Sequence, residues 1–196
     1  MKTIVHKADS RGFANHGWLQ ANHSFSFANY FNQEKMQFGA LRVLNDDIIA
    51  PKMGFGTHPH NNMEIITIPL SGSLKHRDSM HNEWQTIEAG EVQIMSAGKG
   101  LQHSEINGSD KAYLSLFQIW VIPNKTEVEP RYGQKSFDYK LKSNSHGVYV
   151  MNIHGTVTVE TNELQTRDAI GVSQTDNFKI SANEDSELLL IEVPMI

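Results

Sequence analysis

Two short segments carry side chains whose types and spacing suit a metal ion. In Gly56-Thr57-His58-Pro59-His60-Asn61-Asn62-Met63-Glu64, two imidazoles stand two residues apart. Alternate side chains of an extended strand share a face, so His58 and His60 project together, and Asn62 and Glu64 continue the series. Gly100-Leu101-Gln102-His103-Ser104-Glu105-Ile106-Asn107 repeats the logic, with His103, Glu105 and Asn107 on one face. If the two strands oppose each other in a barrel, three imidazoles and a carboxylate converge on a divalent transition metal and leave positions on it open. A lone His-x-His on an exposed strand is more often a solvated pair. What points to a metal is the conjunction of His-Pro-His after a glycine-rich turn, a glutamate four residues on, and a second His-x-Glu behind a glycine-bracketed turn. Strand parity admits either Glu64 or Glu105 as the carboxylate.

Composition bounds that chemistry. The 196 residues include ten histidines and no cysteine. Without thiolates there is no disulfide framework, no Cys-ligated zinc or iron–sulfur site and no cysteine nucleophile, so a metal must be held by nitrogen and oxygen. Lys and Arg number 17 against 22 Asp and Glu, a net charge of −5. Neither a nucleic-acid backbone nor an anionic membrane is then an electrostatically favoured partner. The N-terminal stretch MKTIVHKADSRGF has no apolar core ahead of its first charges, and no run approaches the ~18 apolar residues of a membrane span. The expected location is the cytoplasm, as a monomer or an oligomer of unspecified order. Ala97-Gly98-Lys99-Gly100 has the glycines of a phosphate loop but neither its Lys-Ser/Thr ending nor its helix.

The elements that must position these residues read as strands. Past the first thirty-odd residues, helical periodicity is hard to find and short β-rich runs punctuated by turns recur. The pattern predicts strands at Phe38–Leu44, Met63–Leu70, Leu74–Asp78, Trp84–Glu88, Glu91–Met95, Tyr113–Ile122, Val148–Ile153, Thr156–Glu160, Ala169–Ser173 and Glu187–Val193. The fold class is all-β, a sandwich or barrel. Pro123 to Gln134 is polar, holds two prolines and lacks alternation, which places a domain junction there and divides the chain into residues 1–134 and 135–196. A weak repeat supports the division: Ile65–Gly72 is echoed by Val148–Gly155, each a strand ending in glycine before a second strand.

The first segment looks like the first cupin motif, and Gly90 to Asn107 looks like the second, with Ser96 where cupins usually have proline. The fuller pattern resembles the pirin family. It is carried by His58-Pro59-His60, His76-Arg77-Asp78-Ser79, Ser96-Ala97-Gly98-Lys99-Gly100 leading to His103-Ser104-Glu105, Ala14–Trp18, Phe25–Tyr30, Arg42–Asp47 and Gln118-Ile119-Trp120. These look most like the bacterial pirins that act as quercetin 2,3-dioxygenases. The resemblance implies a bicupin of jelly-roll barrels, complete at the N-terminus and shortened and metal-free at the C-terminus. It implies one divalent metal held by His58, His60, His103 and Glu105, with Fe(II) first and Mn, Co, Ni, Cu or Zn as alternatives. Glu105 doubles as the catalytic base, and Glu64 is a supporting carboxylate or alternative ligand. The implied partners are O2 and a small aromatic substrate, and the implied reaction is ring cleavage of quercetin-like flavonols with release of carbon monoxide. The alternative role is a non-enzymatic, iron-dependent, redox-sensitive transcription co-regulator. Phe25, Phe27, Met53 and Phe55 are candidates for an apolar substrate pocket, with ordinary core packing an equal reading. His16 and His23 are candidates for the approach to the site. The part after Gln134 is less than half as long as the part before it, and the resemblance jumps between about Lys142 and Gly147: either the second sheet is trimmed, open and leaning on the first, or residues are absent from the sequence there.

Overall fold

The computed structural model describes residues 1–135, 145–182 and 184–195. It is built almost wholly of antiparallel strands, in keeping with the all-β expectation. The chain opens with β1 (Lys2–His6) and a 3-10 turn at Ala8–Ser10. It then runs through β2 (Gly12–Asn15), β3 (Leu19–His23), β4 (Leu41–Ile49), β5 (Gly54–His60), β6 (Glu64–Ser71), β7 (Ser73–Asp78), β8 (Gln85–Glu88), β9 (Val92–Ser96), β10 (Leu101–Asn107), β11 (Leu114–Val121) and β12 (Arg131–Lys135). The C-terminal part holds β13 (His146–His154), β14 (Val157–Val159), β15 (Asn162–Leu164), β16 (Ala169–Ser173), β17 (Ile180–Ala182) and β18 (Glu187–Pro194). The predicted discontinuity between Lys142 and Gly147 falls largely on residues 142–144, outside the described residues.

Two compact units result. The larger comprises Gly12–Met36 and Leu41–Asp138. In it a seven-stranded sheet, ordered β12-β9-β6-β11-β4-β3-β2, faces a four-stranded sheet, ordered β5-β10-β7-β8. Period-two burial drives the pairing: along β7, Leu74, His76 and Asp78 turn inward while the residues between them are half-buried. Leu19, Ala21, Ile49, Leu114 and Leu116 from the larger sheet meet Leu74 and Ile87 from the smaller in one apolar cluster. Burying such side chains contributes ~1.5–3 kcal/mol each, so the inward face of the strands that supply this cluster is specified. Gly72 makes the tight turn from β6 to β7 at φ 81°, a conformation costly for any residue with a Cβ.

The smaller unit takes in Met1–Arg11, Gln37–Ala40 and Tyr139–Ile196. It holds a four-stranded sheet ordered β1-β16-β13-β18 and a three-stranded sheet ordered β15-β14-β17. Val148, Val150, Val157, Val159, Ile170 and Val172 form its core. Gly155, at φ 83°, joins β13 to β14 as Gly72 joins β6 to β7, so the sequence repeat corresponds to one strand–glycine–strand device used twice. The division differs from a single cut at residue 134. The first strand pairs with β16, from Lys2 opposite Ser173 to His6 opposite Ala169. The β-branched Lys2–His6 run is mostly exposed and pairs with a strand far along the chain, which local patterning does not reveal.

Candidate metal centre

The site grows from the antiparallel pair β5 and β10 within the larger unit. His103 stands directly opposite His58 in the ladder, and a register shift follows between His103 and Glu105. The Nε2 atoms of His58 and His103 lie 2.9 Å apart. Ring centroids are 4.9 Å apart for His58 and His60, and 4.8 Å apart for His60 and His103. One nitrogen from each of the three rings fits inside a cluster no wider than 4.8 Å, so a small inward movement brings all three within reach of a single ion with imidazole ligands at ~2.0–2.1 Å.

The chemistry of these donors also fits a metal. His58 Nδ1 lies 2.7 Å from the Gly56 carbonyl, so its N–H is donated there and the Nε2 lone pair turns to the cluster. Burial lowers His60 to a pKa of about 4, helped by the neighbouring His58. Burial holds His103 lower still, with His58, His60 and His76 adding. His60 and His103 are therefore held neutral at physiological pH, the form that binds metal. On the far side of His103 lies His76, 5.3 Å away between centroids, itself stacked on Tyr132. It is not among the clustered nitrogens.

Glu105, two residues beyond His103, is buried. Gln118 Nε2 donates to its Oε2 at 3.0 Å, and the Thr67 hydroxyl lies 3.3 Å from its Oε1. Burial pushes its pKa up to about 7, and these hydrogen bonds act in the opposite direction. Its oxygens are not in the nitrogen cluster. Glu64, by contrast, accepts a 2.8 Å hydrogen bond from Ser96 Oγ. The parity that links Glu64 to His58 and His60 in the sequence does not survive, because β5 ends at His60 and β6 begins at Glu64 in the other sheet. Between them Asn62 turns the chain at φ 48°.

Beside the cluster lies a cavity of about 250 Å³, reached by His58, His60, His103 and Glu105 on one side. Leu19, Ala21, Phe27, Phe55 and Trp120 supply apolar wall. Trp120 meets His60 edge to face at 4.9 Å and Phe27 at 5.4 Å. Of the four aromatic and methionine candidates, Phe27 and Phe55 therefore line this cavity. Phe25 does not: only 1% exposed, it is packed as core. Met53, 42% exposed at the turn into β5, lines a separate outer depression with Lys52 and Trp84. His23 lines the cavity, with Nδ1 2.9 Å from Asn45 Oδ1, and His16 lies on an adjoining depression. Sequence reasoning assigned no role to Asn45, Asp47, Gln118 or Trp120. A signal existed in the spacing of two between Asn45 and Asp47 and between Gln118 and Trp120, which puts each pair on one face of strands that are otherwise mostly apolar.

Gly54 fixes the approach of β5 to β10. A Cβ there would run into the Glu105 carbonyl oxygen and lie 2.5 Å from Ile106 Cα. Gly54→Ala is expected to lower stability by ~1–3 kcal/mol and to weaken metal binding by displacing one histidine strand from the other. Chemical denaturation and a nickel titration check both effects.

A pH effect follows for the metal-free protein. Burial raises Asp47 to about 8 and Glu105 to about 7, so the folded state holds these protons more tightly than the unfolded chain. That stabilisation is complete below the ordinary carboxylate range and is lost as pH rises through 7 to 8. The lowered histidines work in the opposite sense, but only below their ordinary value of 6.5. Between pH 6.5 and 8 stability is therefore expected to fall by ~2 kcal/mol. Urea unfolding at the two pH values checks the sign, and a rise would contradict it.

Two facing antiparallel sheets with a histidine cluster on adjacent strands, opening on an interior cavity, define a cupin-type metal-binding barrel. The comparisons with known proteins are more specific. The Pirin family model matches residues 5–121, and the model for the quercetinase C-terminal cupin domain matches residues 131–193. The chain belongs to the pirin family. It is 39% identical to an Escherichia coli protein named quercetin 2,3-dioxygenase, covering 98% of this chain and 99% of that one. It is 35% identical to a pirin-like protein of Caulobacter vibrioides, covering 94% and 96%. The solved structure of the bacterial pirin YhhW from Escherichia coli in complex with nickel(II) superposes with a TM-score of 0.93 at 36% identity, covering all of both chains. The alignment with the first of these runs over 229 positions, more than this chain has residues, so that relative carries internal sequence that this chain lacks. Among the described residues no helix is long and apolar enough to cross a membrane.

Proposed function

We propose that this protein is a metal-dependent dioxygenase that opens the ring of quercetin-like flavonols with O2 and releases carbon monoxide. The observation that carries the reading is a triad of clustered imidazoles opening on a mostly apolar cavity, with a buried carboxyl group two residues beyond His103 on the same strand. His58, His60 and His103 would hold the ion, with Glu105 as the fourth ligand. When bound, a divalent metal supplies a positive centre with open positions, which acidifies a ligand hydroxyl and admits O2 beside it. Iron is the first expectation, and the nickel complex of the Escherichia coli relative supports a divalent metal of this series.

The remaining tasks fall to the chain. Glu105, with a pKa of about 7, is matched to accept the flavonol 3-hydroxyl proton near neutrality. Gln118 and Thr67 hold its two oxygens in place. Phe27, Phe55 and Trp120 keep water from the reacting ring and offer flat faces to it. The cavity shares Leu19, Ala21, His23, Phe27 and Phe55 with an outer depression of about 500 Å³, which gives room for a second aromatic ring. Access of this size supports catalysis over the redox-sensing co-regulator role. The test is oxygen consumption by protein loaded in turn with iron, manganese, cobalt, nickel and copper, with quercetin added. Uptake with bleaching of the flavonol's visible band and release of carbon monoxide is expected; no uptake with any metal would defeat the proposal.

A further inference from the structure

The cavity contains one carboxyl group to which the proposed reaction gives no task. Asp47 lies on β4 and lines the cavity, yet only 4% of it is exposed. Its ladder neighbours are Ala21 on β3 and Leu116 on β11. Both belong to the apolar cluster, and neither side chain can donate a hydrogen bond. Asp47 Oδ1 is buried without a partner. The charged groups that act on it are acids, Asp46 beside it on the strand and Glu105 on the cavity wall.

An ionised carboxylate here would lie beside two acids, lose its water, and receive no donor from Ala21 or Leu116 and none at Oδ1, so the neutral acid is favoured in the metal-free protein. Burial accordingly pushes its pKa up to about 8, with Asp46 and Glu105 adding in the same sense. A neutral carboxyl group carries an O–H donor. Buried polar groups of native proteins rarely lack a partner, and a ligand filling the cavity can supply one.

We propose that Asp47 is a substrate-recognition group, donating a hydrogen bond from its neutral carboxyl to the carbonyl oxygen of a planar phenolic ligand whose hydroxyl is turned to the histidine triad. This deepens the flavonol reading, on which it rests, and adds a required feature of the ligand: an acceptor oxygen besides the acidic hydroxyl. Asp47 is not a metal ligand and does not take the substrate's proton.

The test measures quercetin binding to metal-free protein under nitrogen, from the shift of the flavonol absorption band, beside nickel affinity by calorimetry. Asp47→Leu removes the donor and is expected to weaken quercetin binding about tenfold while leaving nickel affinity within about twofold. Asp47→Asn keeps an N–H donor and is expected to bind quercetin within about threefold of the wild type. Equal binding by wild type and Asp47→Leu would overturn the proposal. So would a loss in Asp47→Asn as large as that in Asp47→Leu, which would mark an anionic role, or a loss of nickel in either variant. If Asp47→Leu does not fold, as its thermal melt would show, Asp47→Asn decides alone: a tenfold loss overturns the proposal and retained binding supports it. No quercetin binding by the wild type also overturns it. Binding without oxygen uptake defeats only the dioxygenase reading and leaves the recognition role standing.

Discussion

Replacing His103 with alanine is expected to weaken metal binding at least ~100-fold. Loss of a group that merely supports a metal ligand already costs ~10–100-fold, and His103 is the best placed of the three imidazoles. It is 2% exposed, faces His58 across the ladder and has its Nε2 2.9 Å from that of His58. Water entering in its place offers a weaker donor on an ion left with two imidazoles. The matched control is His76→Ala. His76 is equally buried and packs against His103, so it shares the structural consequences of a lost ring without contributing a nitrogen to the cluster. Nickel titration by calorimetry should show the His103 variant bereft of measurable binding and the His76 variant within about tenfold of wild type. Equal losses would mean that packing, not ligation, explains the effect.

The second large effect concerns the carboxylate. Glu105→Gln preserves shape and leaves an acceptor for Gln118, yet it removes a base matched to neutral pH. General-base contributions run to ~10²–10⁴-fold, and a fall of that size is expected in the rate of quercetin-dependent oxygen uptake, with weaker metal retention. Glu64→Gln is expected to change both by less than about threefold, because Glu64 belongs to β6 and is engaged with Ser96. Oxygen electrode rates and metal content of the two variants decide the matter. Loss of metal from the Glu64 variant with retention in the Glu105 variant would reverse the assignment.

The histidines were legible from sequence because a strand's period of two is local and β5 and β10 each keep it unbroken through their ligands. The carboxylate was not decidable in the same way. Parity carries an inference only as far as the strand runs, and the left-handed turn at Asn62 ends β5 before Glu64 is reached. Phe25 and Phe27 share a parity yet part company in the irregular chain after β3, one into the core and one onto the cavity wall. Asp47 and Gln118 stayed hidden for a different reason. Their spacing pairs them with Asn45 and Trp120 on one face, but that this face borders the cavity depends on β4 lying between β3 and β11, a non-local pairing. The same holds for β1, whose partner β16 is fixed only in the folded chain.

The central claim is that one divalent ion is held by His58, His60, His103 and Glu105. It is tested most directly by anomalous diffraction from crystals of the nickel-loaded protein, collected on both sides of the nickel absorption edge. A single anomalous peak within bonding distance of one nitrogen from each histidine and of a Glu105 oxygen is the expected result. A peak bonded to Glu64 in place of Glu105, or one away from the three imidazoles, would contradict it.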